Sequence, residues 1–250
     1  MQDRKPVTGL VLPGGGARGS YQAGVLQGIS EILGPGAAHP CPVISGTSAG
    51  AINAAVLANN ALRFTQGVQD LIGVWSNFTC GTVFRCEPTY ILRSGLHWLA
   101  AFVLGGLGPR NPKFLLNNAP LRELLDRHLR FDEIDKAIDA GVLKAVAVTA
   151  SGFSCAKAVS FFMADPGMQE WTRARRAGCR GDIGLDHLMA SVAVPFIFPP
   201  VRLGTEFFGD GALREATPLS PAVHLGADRL LIVGVRDERQ DEFDIDAAVE

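Results

Sequence analysis

The sequence predicts an α/β domain with a mainly parallel central sheet. Short β-branched runs alternate with helical segments along the 250 residues, and no internal repeat or long linker interrupts this order. Alternating strands and helices are typical of a parallel sheet covered by helices. Hydrophobic residues make up 47% of the chain, which is enough for one large core or two small ones.

The first fifty residues predict a strand–helix–strand unit. Its elements are a buried strand at 7–12, a helix at roughly 18–33, a second strand at 42–45 and a helix that begins at Ala49. The apolar face predicted for the first helix consists of Tyr21, Val25, Ile29 and Ile32. Two strands joined through a helix pair in parallel with a right-handed crossover.

The rest of the chain continues the alternation. Helices are predicted at 120–129, 132–140 and 185–193, and strands at 142–150, 157–163, 206–213 and, as a last buried strand, 229–235. We therefore expect residues 1–250 to form a single domain. Because the chain ends soon after the last predicted strand, we also expect that a C-terminal portion is missing.

Residues 80–118 break the alternation with glycines, prolines and apolar runs, so we predict an insertion that shapes substrate choice or forms a lid. Its apolar part, 90–108, carries Arg93 and His97 and falls short of the about 20 apolar residues that a membrane-spanning helix needs. Two interpretations stay open for this part: a buried core helix, or a lipid-facing interfacial helix.

Charge and cysteine content exclude some classes of protein. The net charge of −2 gives no electrostatic basis for binding nucleic acid, and charge alone does not favour anionic membranes. The five cysteines are odd in number and form no CxxC pair, which favours reduced thiols over a Cys80–Cys86 bridge. The polar N-terminus does not resemble a secretory signal, so we expect a cytoplasmic protein.

A glycine loop follows the first strand and predicts an anion site. Its residues are Gly14, Gly15, Gly16, Ala17, Arg18 and Gly19. The spacing fits the dinucleotide pattern GxGxxG, but that pattern needs an acidic residue at the end of the second strand, where this chain has Ser45-Gly46-Thr47-Ser48. Consecutive amides and a helix N-terminus would hold a phosphate or an oxyanion. Alternatively, the glycines serve close strand–helix packing. Arg18 would anchor the loop or contact a phosphate.

The second motif is a GxSxG sequence between a strand and a helix. It consists of Gly46, Thr47, Ser48, Ala49 and Gly50. A nucleophile elbow needs small neighbours because its serine lies in strained backbone. Both motifs follow the carboxyl ends of neighbouring parallel strands, so we expect Ser48 to lie beside the amides of the glycine loop.

A serine hydroxyl needs a base, and Asp210 is the preferred candidate. The sequence FFGDGAL places Asp210 where a strand runs into a turn, and partial burial there would raise its pKa. Taken alone, a DG pair is more typical of a plain turn. The alternative bases are the five histidines: His39, His97, His128, His187 and His224. His224 even follows the Ser–Asp–His chain order of α/β-hydrolases, but its position within an apolar helix favours packing.

Together, these motifs resemble the patatin-like phospholipase family. The resemblance rests on GGGARG (14–19), GTSAG (46–50), DGA (210–212) and the block ASVAVPFIFPPV (190–201), and it extends from about residue 7 to about 235. It implies a three-layer α/β/α sandwich, a catalytic pair of Ser48 and Asp210, and no cofactor or metal. The glycine loop would form the oxyanion hole, and Gly211 and Ala212 the turn after the aspartate.

The resemblance also implies a function. The expected protein is a lipid acyl hydrolase, of phospholipase A type or a general carboxylic ester hydrolase, that works through an acyl-serine. Its substrate would be a lipid or another acyl ester, at a membrane or micelle surface with which the protein associates peripherally. Two alternatives stay open: a transacylase with the same Ser–Asp pair, or a non-catalytic module that binds nucleotide or lipid through the glycine loop.

Overall fold

The computed structural model describes residues 5–235. Its strands are Thr8–Leu12 (β1), Val43–Thr47 (β2), Ala145–Gly152 (β3), Ala158–Ala164 (β4), Trp171–Thr172 (β5), Arg176–Arg180 (β6), Val201–Leu203 (β7), Glu206–Asp210 (β8) and Arg229–Ile232 (β9). Its α-helices are Gly19–Leu33 (α1), Ala49–Asn59 (α2), Phe64–Ser76 (α3), Cys80–Val83 (α4), Pro88–Val103 (α5), Ala119–His128 (α6), Asp132–Asp139 (α7), Leu185–Ser191 (α8) and Leu219–His224 (α9). Short 3-10 turns lie at Gly16–Arg18, Ala61–Arg63, Gly108–Arg110 and Gly211–Leu213.

All described strands belong to one sheet. Its main order is β5-β6-β4-β3-β2-β1-β9, and β8 pairs with both β3 and β7. Parallel pairing runs from β9 through β1 and β2 to β3 and recurs between β4 and β6. The β3–β4, β3–β8, β5–β6 and β7–β8 pairs are antiparallel. The sheet is therefore mixed and not mainly parallel as predicted, because the hairpin pairings of the second half of the chain are antiparallel.

Helices cover both faces of the sheet, which confirms the predicted α/β class with its helix-flanked central sheet. Alternate strand residues point to opposite faces. Leu10 and Ile44 pack into the large core under α1, α2 and α3, whereas Val11 and Val43 pack on the other face with Ala222 of α9. All residues of β2, and all residues of β1 except Thr8, are therefore buried.

The buried face of α1 agrees with the prediction in part, since the predicted Val25 and Ile29 pack against the core. Gln22, Ala23 and Leu26 point into the core, whereas Tyr21 and Ile32 are exposed. The prediction counted apolar side chains only and therefore missed a polar residue, Gln22, that the fold buries.

Two further predictions about burial were wrong. The predicted core helix at 90–108 is α5, in which no residue is buried, so the buried interpretation is excluded. The predicted last buried strand is β9, which lies at the edge of the sheet with Leu231 and Ile232 exposed. No helix within residues 5–235 combines the length and apolar character needed to cross a membrane.

Candidate active site

Ser48 occupies the sharp turn between β2 and α2. Its backbone has φ 54° and ψ −126°, a region that non-glycine residues rarely adopt. A Cβ at Gly46 would overlap the carbonyl of Gly50, and a Cβ at Gly50 would overlap the carbonyl of Leu12. The turn therefore requires glycine at both positions, and Ala49 starts the helix with the smallest chiral side chain.

Asp210 reaches Ser48 because two strands share one side of β3. Thr47, the last residue of β2, lies opposite Thr149, and Asp210, the last residue of β8, lies opposite Ala150. β8 thus continues the pairing of β3 where β2 ends. The Oγ of Ser48 donates a hydrogen bond to Oδ2 of Asp210, with 2.6 Å between the two atoms.

The Asp210 carboxylate is fixed by further hydrogen bonds. Its Oδ1 accepts the N–H of Ala212 at 2.8 Å, and its backbone N–H donates to the carbonyl of Ala193 at 2.8 Å. Burial raises the pKa of Asp210 above its ordinary 3.8, and the hydrogen bonds from Ser48 and Ala212 oppose part of that rise. A Cβ at Gly211 would overlap the carbonyl of Thr149, so the turn after Asp210 needs a glycine.

The glycine loop lies beside Ser48 at the same sheet edge. A Cβ built on Gly14 would lie 3.0 Å from the Cβ of Ser48. The loop passes through Gly15, turns at Gly16 with φ +57°, and enters α1 at Gly19. Within the described residues, the amides of Gly15 and Gly16 have no backbone or side-chain acceptor. Arg18 is exposed, and its backbone N–H donates to Gly15.

The structure therefore brings together all three predicted motifs: the glycine loop (14–19), the elbow (46–50) and the Asp210 turn (210–212). The family model for patatin-like phospholipases matches residues 10–223, a range that contains all three. The chain belongs to the patatin-like phospholipase family. Members of this patatin-like family are esterases and phospholipases, that is, lipid hydrolases in general.

Solved structures resemble this patatin-like chain at low sequence identity. VipD from Legionella pneumophila is 15% identical with a TM-score of 0.46, and the match covers 92% of this chain and 49% of that one. A chain of the ExoU–SpcU complex from the type III secretion system of Pseudomonas aeruginosa is 18% identical with a TM-score of 0.36, covering 95% and 48%. The patatin-like chain thus spans about half the length of these two proteins. No curated protein matches it.

Each of the five histidines of this patatin-like chain contacts a group outside the pair of Ser48 and Asp210. The ring nitrogens of His97, His128 and His224 lie 2.8 Å from the carbonyls of Arg110, Leu124 and Ser220, respectively. His39 and His187 accept hydrogen bonds from the backbone N–H groups of Cys41 and Gly184. Burial also lowers the pKa of His39 to about 4.

Ser191 is a site residue that the sequence analysis missed. It ends α8 and is fully buried. Its Oγ accepts the backbone N–H of Ser48 at 2.9 Å and donates to the carbonyl of Thr149 at 2.6 Å. Ser191 thereby connects the strained elbow to β3. Ser191 lies in the block 190–201 on which the family resemblance rests in part, but the sequence analysis assigned no role to this serine.

A buried polar network under the glycine loop was also missed. Nε2 of Gln22 donates to the carbonyls of Pro13 at 2.9 Å and Val233 at 3.1 Å. Nδ2 of Asn53 donates to Oε1 of Gln22 at 2.8 Å and to the carbonyl of Gly19 at 3.0 Å. The network therefore contacts the residue before the loop and the last residue of the loop. The sequence signal that could have indicated this network is the presence of two polar residues, Gln22 and Asn53, within apolar helical runs.

Proposed function

We propose that this chain is a serine lipid acyl hydrolase in which Ser48 is the nucleophile and Asp210 is the base. The observation that carries the proposal is the 2.6 Å hydrogen bond from Ser48 Oγ to Asp210 Oδ2 at a strained strand–helix turn. Strain in a sparsely populated backbone region is typical of functional residues. The raised pKa of Asp210 fits a carboxylate that accepts a proton from serine.

In the first half-reaction, Ser48 Oγ attacks the ester carbonyl carbon while its proton moves to Asp210. The oxyanion that forms would accept hydrogen bonds from the free amides of Gly15 and Gly16, with Gly14, Ala17, Arg18 and Gly19 holding the loop in shape. Collapse of this intermediate breaks the ester C–O bond. The proton on Asp210 passes to the leaving alcohol, and an acyl-serine remains.

In the second half-reaction, Asp210 accepts a proton from water as the water oxygen attacks the acyl-serine carbonyl. The C–O bond to Ser48 then breaks, the proton returns to Ser48 Oγ, and the fatty acid leaves. The same two side chains serve both halves, so loss of either should severely reduce turnover. We further propose that residues 1–250 act as one catalytic domain, that the segment 80–118 shapes substrate choice, and that the protein works in the cytoplasm at lipid surfaces.

The test compares wild type with Ser48→Ala, Asp210→Asn and the control Ser76→Ala, an exposed serine at the end of α3. Each protein is labelled with a fluorophosphonate probe and assayed on a short-chain nitrophenyl ester and on phosphatidylcholine micelles. We expect Ser48→Ala to lose labelling and turnover together. Asp210→Asn should lose about a hundred- to ten-thousand-fold in kcat, the usual contribution of a general base. Ser76→Ala should match wild type.

Normal hydrolysis by folded Ser48→Ala would overturn the proposal. Failure of folded wild type to react with the probe, combined with tight nucleotide binding, would favour the binding-module alternative. The assay is repeated with glycerol as an acceptor, because acyl-glycerol formed instead of free fatty acid would identify a transacylase with the same Ser–Asp pair.

A further inference from the structure

An apolar hollow lies beside the candidate active site, and we call it the aromatic hollow. Its volume is about 310 Å³, which is within the range of small-molecule sites. Its wall combines the charged side chain of Lys113 with three aromatic rings, two prolines and an alanine: Phe153, Phe196, Phe198, Pro195, Pro200 and Ala193. A wall of rings and prolines favours an apolar ligand.

Two residues of this wall meet at Gly209, the residue before Asp210. A Cβ built on Gly209 would lie 2.6 Å from Cζ of Phe153 and 3.1 Å from the carbonyl oxygen of Ala193. The same carbonyl accepts the N–H of Asp210 at 2.8 Å, and the Asp210 carboxylate accepts the hydroxyl of Ser48. The aromatic hollow therefore begins directly beside the proposed catalytic pair.

Phe196 contributes to the wall from a strained backbone conformation. Its φ is +65°, in a region that bulky residues rarely adopt. The carbonyls of Phe196 and Ile197 accept the N–H groups of Leu115 and Leu116, each at 2.8 Å, so the chain after α5 holds the strained segment in place. The Phe196 side chain is 75% exposed, and core packing therefore does not account for the strain. Strained residues that the surrounding structure fixes are typical of ligand-binding sites.

Contacts behind the other two rings also keep the wall in shape. The ring of Phe198 lies against that of Phe84, with 6.4 Å between the ring centroids. The backbone N–H of Phe153 donates to the carbonyl of Phe207 at 3.0 Å. Because these contacts do not involve a ligand, the aromatic hollow is formed before any substrate arrives, as is usual for small-molecule sites.

The chemistry and size of the hollow identify its occupant as an acyl chain. Lys113 is the only polar side chain among the described residues of the wall, and it is exposed. A glycerol or headgroup buried there would lack hydrogen-bond partners, whereas a hydrocarbon chain needs none. The volume equals that of about ten water molecules. Since a methylene group is similar in volume to a water molecule, the hollow can hold one chain of about ten carbons.

We propose that the aromatic hollow is the acyl-chain subsite and that it gives the enzyme a preference for a single acyl chain of about ten carbons. This inference rests on the proposed function, because it places the ester carbonyl at Ser48. The acyl chain would then run from Ser48 past Ala193 toward the rings of Phe153 and Phe196. A butyryl chain would end close to Ser48 and would gain nothing from the rings.

The test measures kcat/KM of the full chain for the nitrophenyl esters of butyrate, decanoate and tetradecanoate, each below its micelle concentration. A ring variant removes two rings of the wall (Phe153→Ala with Phe196→Gly), and glycine adopts the positive φ at this position without strain. A second variant, Lys113→Met, makes the wall wholly apolar. The matched control is Phe102→Ala, which replaces an exposed phenylalanine of α5 outside the hollow. Calorimetry measures binding of nitrophenyl decanoate to Ser48→Ala with and without the ring substitutions.

We expect wild type and the control to prefer decanoate over butyrate by about tenfold or more in kcat/KM, with no further gain for tetradecanoate. The ring variant should lower this ratio of decanoate to butyrate about tenfold, and Lys113→Met should raise it. An unchanged ratio in the ring variant would overturn the proposal. So would a lower ratio in Lys113→Met, which would indicate a polar occupant, or a further rise for tetradecanoate in wild type. Folded wild type that leaves butyrate intact would reject the proposed function. Decanoate binding to Ser48→Ala that the ring substitutions abolish would still support the hollow as the site of the chain.

Discussion

The Oγ of Ser191 accepts the backbone N–H of Ser48 at 2.9 Å, and the same Oγ donates to the carbonyl of Thr149 at 2.6 Å. One hydroxyl thus links the strained elbow to a neighbouring strand. Since Ser191 is fully buried, no water can replace it without rearrangement. The geometry at Ser48 therefore depends on a side chain that lies 143 residues away in sequence.

Ser191→Ala should lower kcat about tenfold while KM changes little, because the elbow loses its support but the substrate contacts remain. The variant leaves a buried N–H and a buried carbonyl unpaired, so the free energy of unfolding should fall by about 1–3 kcal/mol. Steady-state kinetics and urea unfolding check both effects. The control is Ser45→Ala, which removes another buried hydroxyl that donates to a carbonyl, that of Pro218 at 2.9 Å. A loss of kcat in Ser45→Ala as large as that in Ser191→Ala would contradict the positioning role.

Asp210 should impose an acidic limit on the rate. Its pKa is raised above 3.8 chiefly by burial, and only the ionised carboxylate can accept the proton of Ser48. The value of kcat/KM should therefore fall as the pH drops through this raised pKa. Measuring kcat/KM from about pH 4 to about pH 8 reveals the fall. The control His187→Gln should not change the pH at which kcat/KM falls.

The raised pKa of Asp210 also predicts that the variant Asp210→Asn is more stable than wild type. A carboxyl with a raised folded pKa stabilises the fold in its protonated form, and this contribution is lost as the pH rises through that pKa. Asparagine stays neutral and can still accept the N–H of Ala212. The Tm of Asp210→Asn should therefore exceed that of wild type by a margin that grows from about pH 4 to about pH 8. A margin that shrinks over this range would show that the ionised carboxylate stabilises the fold.

The sequence predicted local parts of the site better than long-range parts. The strand before the glycine loop was predicted at 7–12 and is observed at Thr8–Leu12, and the strand–turn–helix around Ser48 is where GTSAG indicated. Such features depend on the secondary-structure propensity of neighbouring residues and on positions in the turn that only glycine can occupy. The roles of Ser48, Asp210 and the loop amides stay predictions.

Long-range pairing could not be derived from the sequence. Asp210 meets Ser48 because β8 pairs with the end of β3 beyond β2, an arrangement that no spacing reveals. Burial was also mispredicted where tertiary contacts decide it. Gln22 points inward because it binds two carbonyls, and the apolar α5 remains exposed because its polar side binds residues 110–115. Apolar periodicity alone contains neither kind of information.

Gly14→Ala should impair the site without unfolding the protein. The added methyl would lie 3.0 Å from the Cβ of Ser48 and 3.3 Å from that of Ala212, so the loop or the elbow must shift by a few tenths of an ångström. Loss of one oxyanion donor costs about a hundred- to a thousand-fold in rate, and a small displacement should cost about tenfold or more. Fluorophosphonate labelling rates measure the effect.

The control for this substitution is Gly24→Ala in α1, where the added methyl meets no atom within 4 Å. It should raise the free energy of unfolding by about 0.5–1 kcal/mol, because alanine is favoured over glycine in a helix, and leave labelling unchanged. Equal labelling rates for Gly14→Ala and Gly24→Ala would contradict the placement of the loop against Ser48.

Gln22→Met should act on catalysis through the glycine loop. Methionine has a similar length but cannot donate to Pro13 and Val233 or accept from Asn53. We expect a fall of about 2–4 kcal/mol in the free energy of unfolding from the unpaired buried groups. We also expect kcat to fall in the folded protein while KM for a short ester is retained. Gln27→Met changes the same residue type on the same helix, where Gln27 donates a hydrogen bond to the exposed side chain of Glu31, and it should show neither effect. Gln22→Met with wild-type kcat would limit the network to a structural role.

His39 should make the fold sensitive to mild acid independently of catalysis. Burial lowers its pKa from 6.5 to about 4, its Nδ1 accepts the N–H of Cys41, and its ring packs edge-on against Phe64. The unfolded chain therefore binds a proton at a higher pH than the folded chain, and stability falls as the pH drops from 6.5 toward 4. The expected loss between about pH 7 and about pH 5 is about 2 kcal/mol.

Urea unfolding at both pH values measures this loss in wild type, His39→Gln and the control His128→Gln, which replaces an exposed histidine. His39→Gln should be less stable than wild type near neutral pH because glutamine fits the ring site poorly, yet it should lack the extra loss in acid. His128→Gln should retain the full loss. An unchanged pH dependence in His39→Gln would assign the acid sensitivity to other groups and reject a neutral, buried His39.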